Sequence, residues 1–399
     1  MIATPLPVTG AWCRGDDPGH RQFVRTATDR PMVLEGGGTL RDVTICFETW
    51  GDPACAATDA ILVCHALTGD SHAAGEMSLP AHPTEGWWKG LIGPGRALDT
   101  DRYLIVCVNV LGGCQGSTGP ASLDPGTGKP YGSSFPQVSI RDMVRCQSVV
   151  ADHLGVERWR TVIGGSMGGM QVLEWGVTYP DRIASLVPIA TTAQATAQQI
   201  GWGSVGRQAI RLDPGWNDGD YYDLEPGAGP HAGLSIARQA AQITYRSDNV
   251  FSDRFGRQPV EPLDGFDLWD RFEVERYLHY HGAKLVRRFD ANSYLRISKA
   301  MDLHDIGRGR GSVTAALTRI SVPVLTMGIS SDALYWPEQQ RQLARQLAEV
   351  GVPSTYAEID SPHGHDAFLI DLDQIHTALV PFLDGVGSPR SPRSLPEDQ

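Results

Sequence analysis

Residues 164–169 read GGSMGG, one serine between two glycine pairs, directly after the apolar run TVI. Gly164-Gly165-Ser166-Met167-Gly168 fits G-x-S-x-G, the sharp strand-to-helix turn that presents a serine hydroxyl for attack on an acyl carbon. The same residues also read as a glycine-rich tight turn with no chemistry. Serine is a poor nucleophile at neutral pH, so the catalytic reading requires a histidine base and a carboxylate that orients it. In this setting they should follow the serine as acid and then histidine, each just past a later strand. Asp332 ends the run VPVLTMGISSD, and DSPHGHDAF (360–368) follows the final β-branched run with His363 and His365. Gly364 lets the chain turn sharply before His365, which favours it, but the pattern alone leaves both histidines in competition. Asp332 has its own structural reading, as an N-cap before PEQQRQL.

His65, in CHALTG, lies at the C-terminal end of another apolar run, on the edge where such sheets build their sites. Its place suits an oxyanion loop better than a base. We expect the backbone N–H groups of Leu67 and Met167 to receive developing negative charge. PGTGKP (125–130) resembles a phosphate loop, but position 123 is not glycine and Pro130 stands where Ser or Thr would hold magnesium. With no H-E-x-x-H and no clustered Cys/His set, we expect no metal.

These residues need a scaffold of buried strands, and the sequence supplies one. VTICFETWG, AILVCHALTG, YLIVCVNVLGG, RTVIGG and IASLVPIAT are short, mostly apolar runs broken by turn residues, as strands buried on both faces should be. SIRDMVRCQSVVADHLGV (139–156) inserts an amphipathic helix, with Ser139 as N-cap and Asp142 three residues on. After Ser166, Met170, Leu173 and Val177 recur at helical spacing and predict a helix with one buried face. From about 191 to 309 the β-branched runs give way to segments such as GLSIARQAAQITYR, and strands resume at VPVLTMGISSD and PSTYAEID around the helix 337–351. We therefore expect an α/β fold with a mostly parallel central sheet. Its core spans 1–190 and 310–385, a helical lid occupies 191–309, and a Pro- and Ser-rich tail, 386–399, is disordered.

A net charge of −12 argues against nucleic acid or an anionic membrane as partner. Seven cysteines, an odd number without a C-x-x-C pair, read as buried thiols in a reducing compartment. MIATPLPVTGAW lacks a basic segment followed by an apolar stretch, and no apolar run approaches the length of a membrane span, so a cytoplasmic enzyme is expected.

CHALTGDSH, NVLGGCQGSTGP, GGSMGGMQVLEW, YPDRI, GLSIARQAAQITYR, RFDANSY and GHDAFL together resemble the homoserine O-acetyltransferase family, which has the α/β-hydrolase fold. The likeness runs from about residue 40 to about residue 380. It implies transfer of an acetyl group from acetyl-CoA, a co-substrate rather than a bound cofactor, to L-homoserine in methionine synthesis. Ser166, Asp332 and His365 fall on the family's triad positions, which decides between the histidines. By the same likeness Arg238 should bind the substrate carboxylate and Asp366 its amine, and the protein should pair as a homodimer through the helical insertion. Serine as acceptor, succinyl-CoA as donor, and an esterase or thioesterase on the same residues remain alternatives.

Overall fold

The computed structural model describes residues 6–261 and 267–386. Eight strands form one sheet. They are β1 (Gln22–Thr26), β2 (Val43–Trp50), β3 (Ala60–Cys64), β4 (Leu104–Val108), β5 (Thr161–Gly165), β6 (Leu186–Ile189), β7 (Val324–Ile329) and β8 (Ser354–Ile359). Their spatial order is β1-β2-β4-β3-β5-β6-β7-β8. The pairings of β1 with β2 and of β2 with β4 are antiparallel, and the others are parallel. Strands β3 to β7 are buried along their whole length, because each face of the sheet carries its own core. Leu62, Val106 and Val162 point into one, while Ile61, Ile105 and Ile163 point into the other, as a period of two requires.

Two elements differ from the sequence reading. Strand β1 was not anticipated: QFVRT is an edge strand with little burial, so it has neither a long apolar run nor strict alternation. The helix after Ser166, α2, spans Met167–Thr178 and is buried at every position except Thr178, not on one face only. The preceding helix, α1 (Ile140–Leu154), covers part of it, and β5 and β6 cover more. Helix α1 begins with a reciprocal capping box between Ser139 and Asp142 and stops at Gly155, whose φ of 72° suits glycine.

Between β6 and β7 the chain forms α3 (Ala197–Arg211), α4 (His231–Tyr245), α5 (Asp248–Phe255), α6 (Glu273–Val286) and α7 (Ala291–Asp302). Helix α3 packs on α4 and α7, and α4 on α6. The segment leaves and rejoins the core through one short antiparallel bridge, Gln194 opposite Asp305. There Ala195 N–H donates to His304 O at 2.9 Å and Ile306 N–H to Ala193 O at 3.1 Å. Helices α8 (Pro337–Glu349) and α9 (Leu372–Gly385) complete the core. The expected tail lies, from residue 387 on, outside the described residues. No described helix is long and apolar enough to cross a membrane. Of the seven cysteines, Cys13 is exposed and Cys55 half-buried, against the expectation of burial, and the other five are buried. Burial pushes the Cys46 and Cys146 thiols up to about 12.

Candidate active site

Ser166 sits between β5 and α2 with φ 58° and ψ −122°, a conformation that a residue with a side chain adopts only when its surroundings hold it there. They do so from both sides. Ser166 N–H donates to Ile189 O at 2.9 Å, and Thr191 Oγ1 donates to Ser166 O at 2.9 Å. The turn closes only because glycines flank it. A Cβ on Gly168 would lie 2.1 Å from the Cys64 carbonyl oxygen, and one on Gly165 would lie 2.6 Å from the Phe368 ring.

Asp332 follows β7, and His365 follows β8 in a short turn. His365 Nδ1 lies 2.6 Å from Asp332 Oδ2. An ionised carboxylate only accepts, so in the neutral imidazole Nδ1 carries the hydrogen and Nε2 the lone pair. Nε2 is buried and has no hydrogen-bond partner among the described residues, the state needed to take a proton from an incoming group. The other oxygen of Asp332 accepts from Leu334 N–H and Tyr335 N–H, both at 2.8 Å. Thus Asp332 does not cap α8; Trp336 holds that position. His363 lies outside this pairing, at the entry to the turn that carries His365.

Rings fix the imidazole plane. Tyr335 stacks on His365 at 5.0 Å between centroids, Tyr245 lies at 5.8 Å, and Phe368 meets it edge-on at 5.5 Å. Burial pushes the Tyr335 phenol far above its usual range, against a hydrogen bond with Ser166 that works the other way. Sequence reasoning missed all three rings; "ALYWP" and "HDAF" contain two of them, but an aromatic beside a turn looks like core.

His65 is a brace. Val110 N–H donates to its Nε2 at 3.1 Å and its Nδ1 meets Ala66 O at 2.8 Å, so the loops after β3 and β4 are tied through one neutral ring. Burial lowers its pKa, in keeping with that form. Leu67 follows on the same loop, and its N–H has no acceptor among the described residues. Met167 opens α2, where helix geometry leaves the first amides without intrahelical acceptors.

Ser166, His365, Leu67, Arg238 and Asp366 all line one cavity of about 170 Å³. Arg238 comes from α4, donates to Thr68 Oγ1 at 3.4 Å, and stacks over Tyr245 at 5.3 Å. Among the described residues it has no carboxylate partner. Arg288, not foreseen, lines the same cavity and donates to Thr68 O at 2.8 Å. Asp366 is already engaged: its Oδ2 lies 3.3 Å from Arg246 Nη2.

Among the described residues one group has metal-ligating types close together, Glu48, His72 and His82, all buried. Most of its ligand-type atoms are engaged within the protein, while His72 Nε2 is buried without a hydrogen-bond partner among the described residues. Ser71 Oγ donates to Glu48 Oε1 at 2.9 Å, His72 Nδ1 lies 2.9 Å from Oε2, and His82 Nε2 accepts from His20 N–H at 3.2 Å. It reads as a buried hydrogen-bond cluster that anchors the loop beyond Leu67.

The sheet order, the strained serine between β5 and α2, and the carboxylate-held histidine define the class, an acyl-handling enzyme of the α/β-hydrolase fold. A family model described as "alpha/beta hydrolase fold" matches residues 59–372. The chain is 53% identical to homoserine O-acetyltransferase of Moorella thermoacetica over 88% of this chain and 93% of that protein. It is similar in structure to homoserine O-acetyltransferase from Bacillus anthracis, with a TM-score of 0.84 at 28% identity, covering 92% of this chain and 98% of the other. Esterase E22 matches with a TM-score of 0.83 at 27% identity, covering 91% and 99%. The chain belongs to the homoserine O-acetyltransferase family.

Proposed function

We propose that this protein transfers the acetyl group of acetyl-CoA to the side-chain hydroxyl of L-homoserine, an activating step of methionine synthesis, through an acyl-Ser166 intermediate. The observation that carries the reading is the shared cavity in which Ser166 and His365 face Arg238, an arginine without a carboxylate partner among the described residues. A serine hydrolase acting on neutral esters needs no such cation; an enzyme that seats an amino acid does.

His365 Nε2 takes the Ser166 proton as Oγ attacks the thioester carbonyl, and the amides of Leu67 and Met167 receive the charge on the carbonyl oxygen. The tetrahedral adduct collapses by breaking the C–S bond, and the proton on His365 leaves with the coenzyme A thiol. Homoserine then enters. Arg238 grips its carboxylate as a bidentate fork, and Asp366 faces its ammonium with the oxygen that Arg246 does not engage. His365 deprotonates the homoserine hydroxyl, which attacks the acyl carbon, and the proton returns to Ser166 Oγ as the ester departs. Throughout, Asp332 keeps the imidazole in one tautomer. The helices between β6 and β7 supply Arg238 and Tyr245 to the cavity wall, and in this mechanism they limit access of water to the acyl-enzyme. The protein acts in the cytoplasm as a homodimer joined through these helices. Supporting the pairing, Val205, Leu212, Ile236 and Ile243 on or just after α3 and α4 are exposed.

The test is rapid-quench mass spectrometry of enzyme mixed with acetyl-CoA alone, beside thiol release with and without homoserine. Wild type with acetyl-CoA alone should carry one acetyl group on Ser166 and release one equivalent of thiol, and should turn over repeatedly only with homoserine. Ser166→Ala should lose roughly 10⁴-fold or more in kcat. Full activity of that variant would remove the nucleophile. The likeness to esterase E22 favours a second reading, hydrolysis, for which thiol or alcohol release would be equally fast without homoserine.

A further inference from the structure

We infer that a second, apolar cavity beside the Leu67 loop receives the acyl chain of the donor, admits neutral straight chains longer than acetyl, and rejects chains that end in a carboxylate. This rests on the acyl-Ser166 reading and adds to it the range of acyl groups handled.

The cavity has a volume of about 60 Å³, enough for a few water-sized groups. Leu67 and Tyr245 line both it and the cavity that holds Ser166, so the two meet at the loop proposed to bind the carbonyl oxygen. Met170 and Tyr335 form the floor on the core side. Met170 N–H donates to Ser166 O at 3.2 Å, and Tyr335 stacks on His365, so this floor lies within one turn of the reacting atoms. An acyl carbon bonded to Ser166 Oγ, with its oxygen on the Leu67 and Met167 amides, has its remaining substituent directed away from both. The adjoining apolar space is where that substituent finds room.

The opposite wall comes from the inserted helices. Gly203 of α3 and Ala237, Ala240 and Ala241 of α4 are small and leave the space open. Three of its polar side chains are already engaged. Ser298 Oγ accepts from Arg207 Nη1 at 2.8 Å, Gln199 Nε2 donates to Leu334 O at 3.2 Å, and Asp302 pairs with Arg207 at 2.5 Å. Asp302 is the one charged side chain among the described lining residues. A second carboxylate delivered here would meet the Asp302 carboxyl and no cationic side chain among the described lining residues, against a mostly apolar wall that solvates a charge poorly. A methylene instead adds apolar contact, and a single methylene changes selectivity by only about 10- to 200-fold in a fitted pocket.

The experiment measures kcat/KM for acetyl-, propionyl-, butyryl- and succinyl-CoA with homoserine, in wild type, Ala241→Leu and Ala240→Leu, with products identified by mass. Propionyl and butyryl transfer should stay within about tenfold of acetyl, and succinyl transfer should be roughly 100-fold lower or less. The leucine variants should lower the butyryl-to-acetyl ratio by about tenfold, with unfolding temperatures confirming that they fold. Absence of butyryl transfer by wild type, succinyl transfer equal to propionyl, or an unchanged ratio in both folded variants would overturn the inference. Acylation by p-nitrophenyl acetate and butyrate, with neither coenzyme A nor homoserine, reads the same ratio. If wild type fails to make O-acetylhomoserine while the ester ratio shifts in the variants, the transferase reading fails and the acyl pocket stands.

Discussion

At the scale of single residues, the site is built from groups whose orientation is settled before any substrate arrives. Asp332 spends one oxygen on His365 and the other on two amides of its own loop, so neither partner of the pair is free to rotate. Arg238 is different, because beyond the 3.4 Å contact to Thr68 and its stacking on Tyr245 it has no carboxylate partner among the described residues and lines the cavity. Replacing it with alanine should therefore leave acylation of Ser166 by acetyl-CoA near the wild-type rate while lowering kcat/KM for homoserine by roughly 100-fold, the equivalent of about 3 kcal/mol for one charge-assisted contact. Stopped-flow acylation and steady-state kinetics separate the two half-reactions, and an unchanged homoserine kcat/KM would sink its assignment. The chain order of Ser166, Asp332 and His365 was legible because each sits at the end of a β-branched run. The choice of His365 over His363 was only weakly legible in the local pattern, where two histidines flank Gly364, and it took the family resemblance to favour His365, which the fold places against Asp332. Tyr335 and Phe368, close in sequence to Asp332 and His365, were missed because an aromatic beside a turn looks like core, and Tyr245 and Arg288 because they reach the cavity from segments far away in the chain.

Elements were readable where burial leaves a period in the sequence and unreadable where it does not. Strands β3 to β7 announce themselves as apolar runs, whereas β1, half solvated at the sheet edge, carries no such signature. Helix α2 was found, but its burial on every side was not, because its polar residues, Gln171 and Glu174, are inside as well. Glu174 shows why. It lies 2.8 Å from Arg141 Nε of α1 and 2.5 Å from Arg310 Nη2, in the stretch that returns from the inserted helices. Burial raises its pKa, but the hydrogen bond and charge of Arg310 outweigh burial and hold the carboxyl below its usual range. One carboxylate thus ties the nucleophile helix to α1 and to the root of the insertion. Glu174→Gln would leave Arg310 without its carboxylate and Arg141 with only Glu35, at 2.6 Å, and should destabilise the fold by about 3 kcal/mol, read from urea unfolding; a loss under about 0.5 kcal/mol would show that the ties are dispensable.

Over the whole molecule, the junction between core and inserted helices is the place where pH should act. His304 is 3% exposed, sits on the antiparallel bridge, and has its Nε2 3.1 Å from Thr192 O. Burial, opposed by Glu174, lowers its pKa to about 4. The folded value lies below the unfolded one of about 6.5, so its contribution is complete above pH 6.5 and is lost as pH falls towards 4, at up to about 1.4 kcal/mol per pH unit. Urea titrations between pH 7.5 and 4.5 should show a shallower acid slope for His304→Gln than for wild type, and parallel slopes would refute the linkage. The exposed apolar residues of α3 and α4 lead to a second expectation at this scale: Val205→Asp combined with Ile236→Asp should halve the mass seen by light scattering, and a monomeric wild type would dispose of the dimer. The bridge has one more consequence. Because Gln194 and Asp305 close the insertion at its root, its two ends lie side by side, and the helices between them form a cassette. Exchanging residues 196–303 for the corresponding segment of a relative should therefore leave no gap to span, and would change one wall of both cavities while Ser166, Asp332 and His365 stay in place.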